Sequence, residues 1–313
     1  MKPEIAVITS LYAPTLAQLE REYVVHELWS AADRDAVIRN IAPRVRALVT
    51  TGFVGFKRAD LDPFPQLELV ACFGNGHNTY DLVAAQERGI LVTNTPDPTS
   101  DTVAELAVGL LVTLMRRICE GDRYVRAGLW ERSAFPLGHG LRGKTCGIVG
   151  LGNIGRGVAQ RVEAFGMSAC YHGPREKAGV PYRYHADLER MAKESDCLVI
   201  ACPATPRTRN LVDARILDAL GPEGFLVNVA RGAVVDEAAL ISALEHKRIA
   251  GAGLDVYWDE PRVPDKLMAM EHVVVVPHIG SSTVEIREER GAKLLANLRA
   301  HFAGKPVIDP VSV

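Results

Sequence analysis

At 313 residues the chain exceeds the size at which a single hydrophobic core stops growing, which points to two domains. A hydrophobic share of 48% and a charged share of 24% are ordinary for a globular protein and exclude a disordered one. The formal charge is −2, from 36 basic and 38 acidic residues mixed along the chain, so no basic run tracks a phosphate backbone and nucleic acid is excluded as a partner.

The opening residues, MKPEIAVITS, run straight into a strand without the apolar segment and cleavage site of a signal peptide, so a cytoplasmic location is expected. Short apolar runs then alternate with helical stretches: IAVIT (5–9), YVVHEL (23–28), ALVTT (47–51), ELVACF (68–73) and ILVTN (90–94). That alternation predicts right-handed βαβ units around a parallel sheet. TPDPTSD (95–101) reads as a hinge, with Ser100 or Asp101 capping one helix that continues to about Arg126. Inside it, LAVGLLVTLM (106–115) is the longest apolar run. It is about half the length needed to cross a bilayer and predicts a buried helix, not a membrane span.

The same grammar restarts at Lys144 with KTCGIVG (144–150), MSACYH (167–172), CLVIAC (197–202), FLVNVA (225–230), GAGLDV (251–256) and VVVVP (273–277). Near-continuous apolar runs fit strands covered by helices on both faces, hence a second, doubly wound parallel sheet. A last helix, about 284–302, carries an apolar face of Leu294, Leu295, Leu298 and Phe302 and is expected to return onto the first block. The tail GKPVIDPVSV presents no partner of its own. Cysteines 72, 119, 146, 170, 197 and 202 form no CxxC pair and have no His at ligand spacing. They predict reduced, mostly buried thiols, with neither a disulfide framework nor a metal site.

A glycine-rich turn, Gly150-x-Gly152-x-x-Gly155, sits between the strand CGIVG and a helical run. In that context Gly150 permits the tight turn, Gly152 lets backbone approach a pyrophosphate and Gly155 lets helix and strand pack closely. The amides of Asn153 and Ile154 would face the phosphates at the positive end of the helix. The next strand ends in His172, where an acid would hold the ribose hydroxyls of NAD, and is followed by Arg175 and Lys177. A missing carboxylate and added cations predict NADPH over NADH, with NADH still possible.

Three further residues stand at or just after apolar strand runs, where open α/β sheets bind ligands. Arg231 in VNVARGAVVDE can clamp a carboxylate with two parallel hydrogen bonds. His278 in VVVPHIGSST can pass a proton near neutrality, and Glu260 in LDVYWDEP can fix its tautomer and favour its protonated form.

Five segments in order, GIVGLGNIG, CPATPRTRNLVD, NVARGAVVDEAAL, GAGLDVYWDEP and PHIGSST, resemble the D-isomer-specific 2-hydroxyacid dehydrogenase family along essentially the whole chain. The closest resemblance is to its NADPH-dependent glyoxylate/hydroxypyruvate reductases and to the hydroxyphenylpyruvate and 2-ketogluconate reductases. The resemblance implies a Rossmann dinucleotide domain (100–282) inserted into a flavodoxin-like substrate domain (1–99 and 283–313), closing about hinges at 95–101 and 280–284. It implies that Arg231 binds the carboxylate and ketone oxygen of a small 2-oxoacid, that His278 donates the proton, and that Glu260 is its partner. The amides of Asn75 and Gly76 would hold the carboxylate. Asp255 would lie near the nicotinamide carboxamide and Thr102 near the cofactor phosphates. Cys202, Pro203, Thr208, Val229, Ala230 and Gly280 would complete the cofactor site. Helix 102–126, ending near Trp130, resembles a dimerisation arm, so a homodimer is implied.

Asn75, His77 and Asn78 give the substrate loop a polar character that favours hydroxypyruvate, glyoxylate or a sugar-derived 2-oxoacid. Phe53 and Phe56, placed where a side-chain pocket would form, keep an aryl pyruvate open. Nucleotide-sensing corepressors resemble the same family, as do formate and phosphite dehydrogenases. An intact Arg231, Glu260 and His278 argues against a purely binding role.

Overall fold

The structure is a computed structural model that describes residues 2–76, 79–96 and 99–311. His77 and Asn78 of the substrate loop, and Asp97 and Pro98 of the expected hinge, lie outside the described residues. The chain divides into two compact units, Met1–Pro98 with Thr283–Val313, and Thr99–Ser282.

The first unit alternates β1 (Glu4–Val7), α1 (Ala13–Glu22), β2 (Val24–Glu27), α2 (Arg34–Ile41), β3 (Val45–Thr51), α3 (Arg58–Leu61), β4 (Leu69–Phe73), α4 (Leu82–Glu87) and β5 (Leu91–Thr93). Strand order is β2-β1-β3-β4-β5, all parallel. β4 is buried at every position, which is why its sequence is uninterrupted Leu-Val-Ala-Cys-Phe. Short acids start the helices: Asp33 accepts from the Ala36 amide at 2.9 Å and Asp81 from the Ala84 amide at 3.0 Å.

The second unit opens with α5 (Ser100–Met115) and α6 (Ile118–Arg126). It continues with β6 (Thr145–Val149), α7 (Asn153–Ala164), β7 (Ser168–His172), β8 (Arg183–His185), α8 (Leu188–Lys193) and β9 (Cys197–Ile200). It ends with α9 (Ala214–Leu220), β10 (Phe225–Asn228), α10 (Glu237–Glu245), β11 (Gly251–Leu254), α11 (Asp265–Ala269) and β12 (Val273–Val275). The parallel sheet runs β12-β11-β10-β9-β6-β7-β8, so the order reverses between β6 and β9. Crevices at the carboxyl ends of strands flanking such a reversal take ligands.

α12 (Val284–Phe302) returns to the first unit, capped by Thr283, and buries Leu294, Leu295 and Leu298 with Ile5, Val49 and Phe73. Each expected strand run is a strand. The expected buried helix is α5, whose Val103, Ala107, Leu110, Leu111 and Leu114 are buried. Among the described residues no helix is long and apolar enough to cross a membrane.

Four expectations need correction. The single helix to Arg126 is broken after Met115, where Arg117 takes a left-handed φ of 56°. The returning chain stabilises the break, because the His139 amide donates to the Met115 carbonyl at 2.7 Å. The N-cap of α5 is Thr99, not Ser100 or Asp101. β8, an Arg-Tyr-His edge strand, lacks the apolar run by which the others are read. The tail does have a partner: the Val311 amide donates to the Val92 carbonyl at 2.8 Å, and Asn297 Oδ1 accepts the Ile308 and Asp309 amides at 2.9 Å.

Candidate active site

The glycine turn follows β6 and opens α7. Gly150 has a φ of 98°, open to glycine at little cost, and a Cβ there would stand 2.7 Å from Cys202 Cα. A Cβ on Gly155 would stand 2.1 Å from the Gly150 carbonyl oxygen, so only glycine lets the helix start so close to the strand. Gly152 has no atom within 4 Å of its Cβ direction, an opening at the amino end of α7. A tight turn, a close helix start and open space before a helix N-terminus fit a dinucleotide pyrophosphate.

At the end of β7, His172 Nδ1 lies 3.0 Å from the His185 carbonyl of β8, so this ring is tied to the sheet edge. Arg175 is exposed and makes no ion pair among the described residues. Cys202, Val229 and Ala230 are buried, and burial pushes the Cys202 thiol up to about 11, which makes it an inert wall. The Thr208 hydroxyl is engaged within its own loop, donating to the Pro203 carbonyl at 2.7 Å and accepting from the Thr205 amide at 2.8 Å. Thr102, in the first turn of α5, donates to the Thr99 carbonyl at 3.1 Å.

Three neighbouring strands, β10, β11 and β12, release the chemical residues from their carboxyl ends. Past β12, His278 Nδ1 lies 2.7 Å from Glu260 Oε2, on the turn that follows β11. The other oxygen, Oε1, accepts the Tyr257 amide at 3.0 Å. Burial pushes the Glu260 carboxyl up, but the His278 hydrogen bond, the Tyr257 amide and the charges of His278 and Arg231 outweigh it and hold the carboxyl below its ordinary range. An ionised Glu260 requires the proton on Nδ1 and leaves Nε2 as the ring nitrogen for proton transfer.

His278 itself adopts a φ of 52°, a left-handed conformation that costs a non-glycine residue energy. The buried Asp255 carboxylate holds the next turn, accepting the Ile279 amide at 2.6 Å and the Gly280 amide at 3.0 Å. Burial raises the Asp255 carboxyl despite these bonds.

Arg231 is exposed, and its Nη1 donates to the neighbouring Ala230 carbonyl at 2.6 Å. Its guanidinium touches neither Glu260 nor His278, but its charge still acts on Glu260. Two residues set its backbone. Asn228, fully buried, accepts the Ala230 amide and donates to the Arg231 carbonyl, both at 3.1 Å. A Cβ on Gly232 would stand 2.2 Å from the Tyr257 carbonyl carbon, so the Arg231 loop lies flush on the Glu260 turn.

In the first unit, Asn75 and Gly76 follow β4 and are exposed, and among the described residues neither amide is donated elsewhere. Thr95 Oγ1 accepts the Gly74 amide at 2.7 Å and the Asn75 carbonyl accepts Asn94 Nδ2 at 3.0 Å, so the loop is held from behind. Of the two phenylalanines expected near a pocket, Phe56 belongs to the core, 1% exposed and 5.5 Å from the Tyr80 ring. Phe53 is 67% exposed.

The sequence reading missed Asn228, Tyr257 and Trp258, whose Nε1 donates to the Val235 carbonyl at 2.7 Å. All three lie inside recognised segments, where a buried amide or aromatic reads as packing.

Residues 108–280 match the family model described as D-isomer specific 2-hydroxyacid dehydrogenase, NAD binding domain. The chain is 42% identical over 294 residues to hydroxyphenylpyruvate reductase of Plectranthus scutellarioides, covering 94% of each. Its fold superposes with a TM-score of 0.91 on 2-hydroxyacid dehydrogenase from Ketogulonicigenium vulgare Y25, at 37% identity and over 100% of this chain and 99% of that one. With NADPH-dependent glyoxylate/hydroxypyruvate reductase from Sinorhizobium meliloti, in complex with NADP and malonate, the TM-score is 0.83 at 37% identity, over 100% of this chain and 97% of that one. Motif order, sheet topology and these matches agree: the chain belongs to the D-isomer specific 2-hydroxyacid dehydrogenase family.

Proposed function

We propose that this enzyme reduces a small 2-oxoacid, glyoxylate or hydroxypyruvate, to the corresponding 2-hydroxyacid of D configuration, with NADPH as the preferred reductant. The observation that carries the reading is the 2.7 Å contact between Glu260 and His278 at the carboxyl edge of the sheet, with Arg231 released from the same edge. When bound, the dinucleotide supplies the hydride. Arg231 binds the substrate carboxylate and ketone oxygen. His278, hydrogen-bonded to Glu260 through Nδ1, delivers a proton from Nε2 to the oxygen that becomes the hydroxyl. The open amides of Asn75 and Gly76 hold the carboxylate.

NADPH preference is supported by the absence of a carboxylate at His172 and by the exposed Arg175, which makes no ion pair among the described residues, and the S. meliloti relative is named NADPH-dependent. Arg175→Ala is expected to raise KM for NADPH about ten- to hundredfold, the worth of a charged hydrogen bond, and to leave KM for NADH little changed. Equal effects on both cofactors would remove Arg175 from this role.

A second substrate reading, an aryl pyruvate, is favoured by the 67% exposure of Phe53 and by the hydroxyphenylpyruvate relative. Initial rates with glyoxylate, hydroxypyruvate, 2-ketogluconate and phenylpyruvate, each with NADPH and NADH, decide among them. The expected result is the highest kcat/KM for hydroxypyruvate or glyoxylate with NADPH; no turnover across the panel would favour a binding role. We also propose a homodimer, supported by exposed apolar residues on and beyond α6, among them Val125, Leu129, Trp130 and Leu137. Light scattering reads it directly.

A further inference from the structure

Tyr257 lies on the turn that carries Glu260, and its hydroxyl reaches the segment that carries His278. It is 6% exposed, in the cluster formed by Leu254, Val273 and their neighbours. Its backbone amide donates to Glu260 Oε1 at 3.0 Å. Its hydroxyl lies 2.9 Å from the Val276 carbonyl and 3.1 Å from the Leu254 carbonyl, the last of β11. The Val276 carbonyl also accepts the amide of His278 at 3.0 Å, across Pro277. That i to i+2 bond is a γ-turn, and it delivers the chain into the left-handed conformation of His278. One side chain therefore shares an acceptor with the histidine backbone, while its own backbone grips the carboxylate that grips the histidine ring.

We propose that Tyr257 is a positioning residue for the Glu260–His278 pair, its amide orienting the carboxylate and its hydroxyl fixing the carbonyl from which His278 hangs. The inference rests on the reading of His278 as proton donor. A tyrosine serving only as core filling would need no hydroxyl, and a phenylalanine would fill the same space. The hydroxyl instead spans β11 and the extension of β12, whose Val276 amide donates to the Leu254 carbonyl at 3.0 Å. Burial first, then the charge of Asp255, pushes the Tyr257 hydroxyl up to about 12, so it remains a protonated donor over the working range. The charged and titratable groups around the pair are Asp255, Glu260, His278 and Arg231. Of these only Glu260 is hydrogen-bonded to the His278 ring. Asp255 acts on the backbone beyond it, at Ile279 and Gly280, so Tyr257 and Asp255 hold the histidine from its two sides in the chain.

Tyr257→Phe keeps the ring and removes the hydroxyl. With the Val276 carbonyl released, the His278 ring sits less well on Glu260 and its protonated form loses support. The alkaline limb of kcat against pH for 2-oxoacid reduction is then expected to move down by about half to one pH unit, and kcat at neutral pH to fall about three- to tenfold, the scale of one hydrogen bond. KM for NADPH should stay as in the parent enzyme. In a Glu260→Gln background the shift should vanish, because the hydroxyl acts through that pair, and the cycle reads this non-additivity. The His278 ring followed by NMR in the free enzyme should titrate lower in Tyr257→Phe, a readout that needs no turnover. An unchanged limb with an unchanged ring titration, or effects of Tyr257→Phe and Glu260→Gln that simply add, would overturn the proposal. If the parent enzyme turns over no 2-oxoacid, the proposed function fails on its own while the ring titration still decides the role of Tyr257.

Discussion

His278→Asn is expected to lower kcat for 2-oxoacid reduction by about 10²- to 10⁴-fold, the usual contribution of a general acid, with cofactor affinity unchanged in a fluorescence titration. Asparagine is the substitution of choice because the backbone at 278 is left-handed, with a φ of 52°. Asparagine tolerates that conformation better than alanine does, so the loop survives while the proton donor is lost. The turn is also held independently of the ring, by Asp255 on the Ile279 and Gly280 amides. Near-native activity in this variant would end the assignment.

The pH dependence separates chemistry from stability. On the proposed mechanism His278 donates the proton in reduction, so activity is expected to fall on the alkaline side. Glu260 behaves oppositely, because its carboxyl is held below the ordinary range once the His278 bond and the Tyr257 amide outweigh burial. A group with a depressed folded value contributes stability above its unfolded value, and that contribution is lost as pH falls through the folded one. Loosening of this turn therefore belongs to acid, and the alkaline loss of rate should occur without loss of structure. Circular dichroism recorded beside the rate profile checks both.

How much of this was legible in the sequence depended on what each residue is asked to do. Strands buried on both faces are apolar throughout in β4 and β9, so these could be read directly. β8 could not, because an edge strand of Arg-Tyr-His has no such requirement. The break at Arg117 was hidden because its stabilising bond comes from His139, on a segment that returns later. The residue types of the candidate site were visible, but the contact between Glu260 and His278 arises only where β11 and β12 lie side by side. Two aromatics went the other way: Phe56, expected near a pocket, is core, while Tyr257, not singled out in the sequence, spans two loops with its hydroxyl.

Arg231→Lys should lower kcat/KM by about 10²- to 10³-fold, the cost of removing one donor from a developing oxyanion, although the charge is kept. The local architecture makes this a clean test. Asn228 fixes the Ala230 amide and the Arg231 carbonyl, and Gly232 seats the loop against the Glu260 turn, so backbone position does not depend on the guanidinium. The side chain is exposed and donates to the adjacent Ala230 carbonyl, a bond that substrate would replace. Stability should therefore change by no more than about 0.5 kcal/mol, as for surface substitutions away from buried networks. Lysine offers a point charge where arginine offers a planar fork, so it can attract the carboxylate but cannot hold carboxylate and ketone oxygen together. If Arg231 merely attracts the substrate, Arg231→Lys will raise KM slightly and leave kcat intact, and Arg231→Ala will raise KM alone. If Arg231 also stabilises charge on the ketone oxygen, kcat falls in both variants, and only that second pattern is consistent with the assigned role.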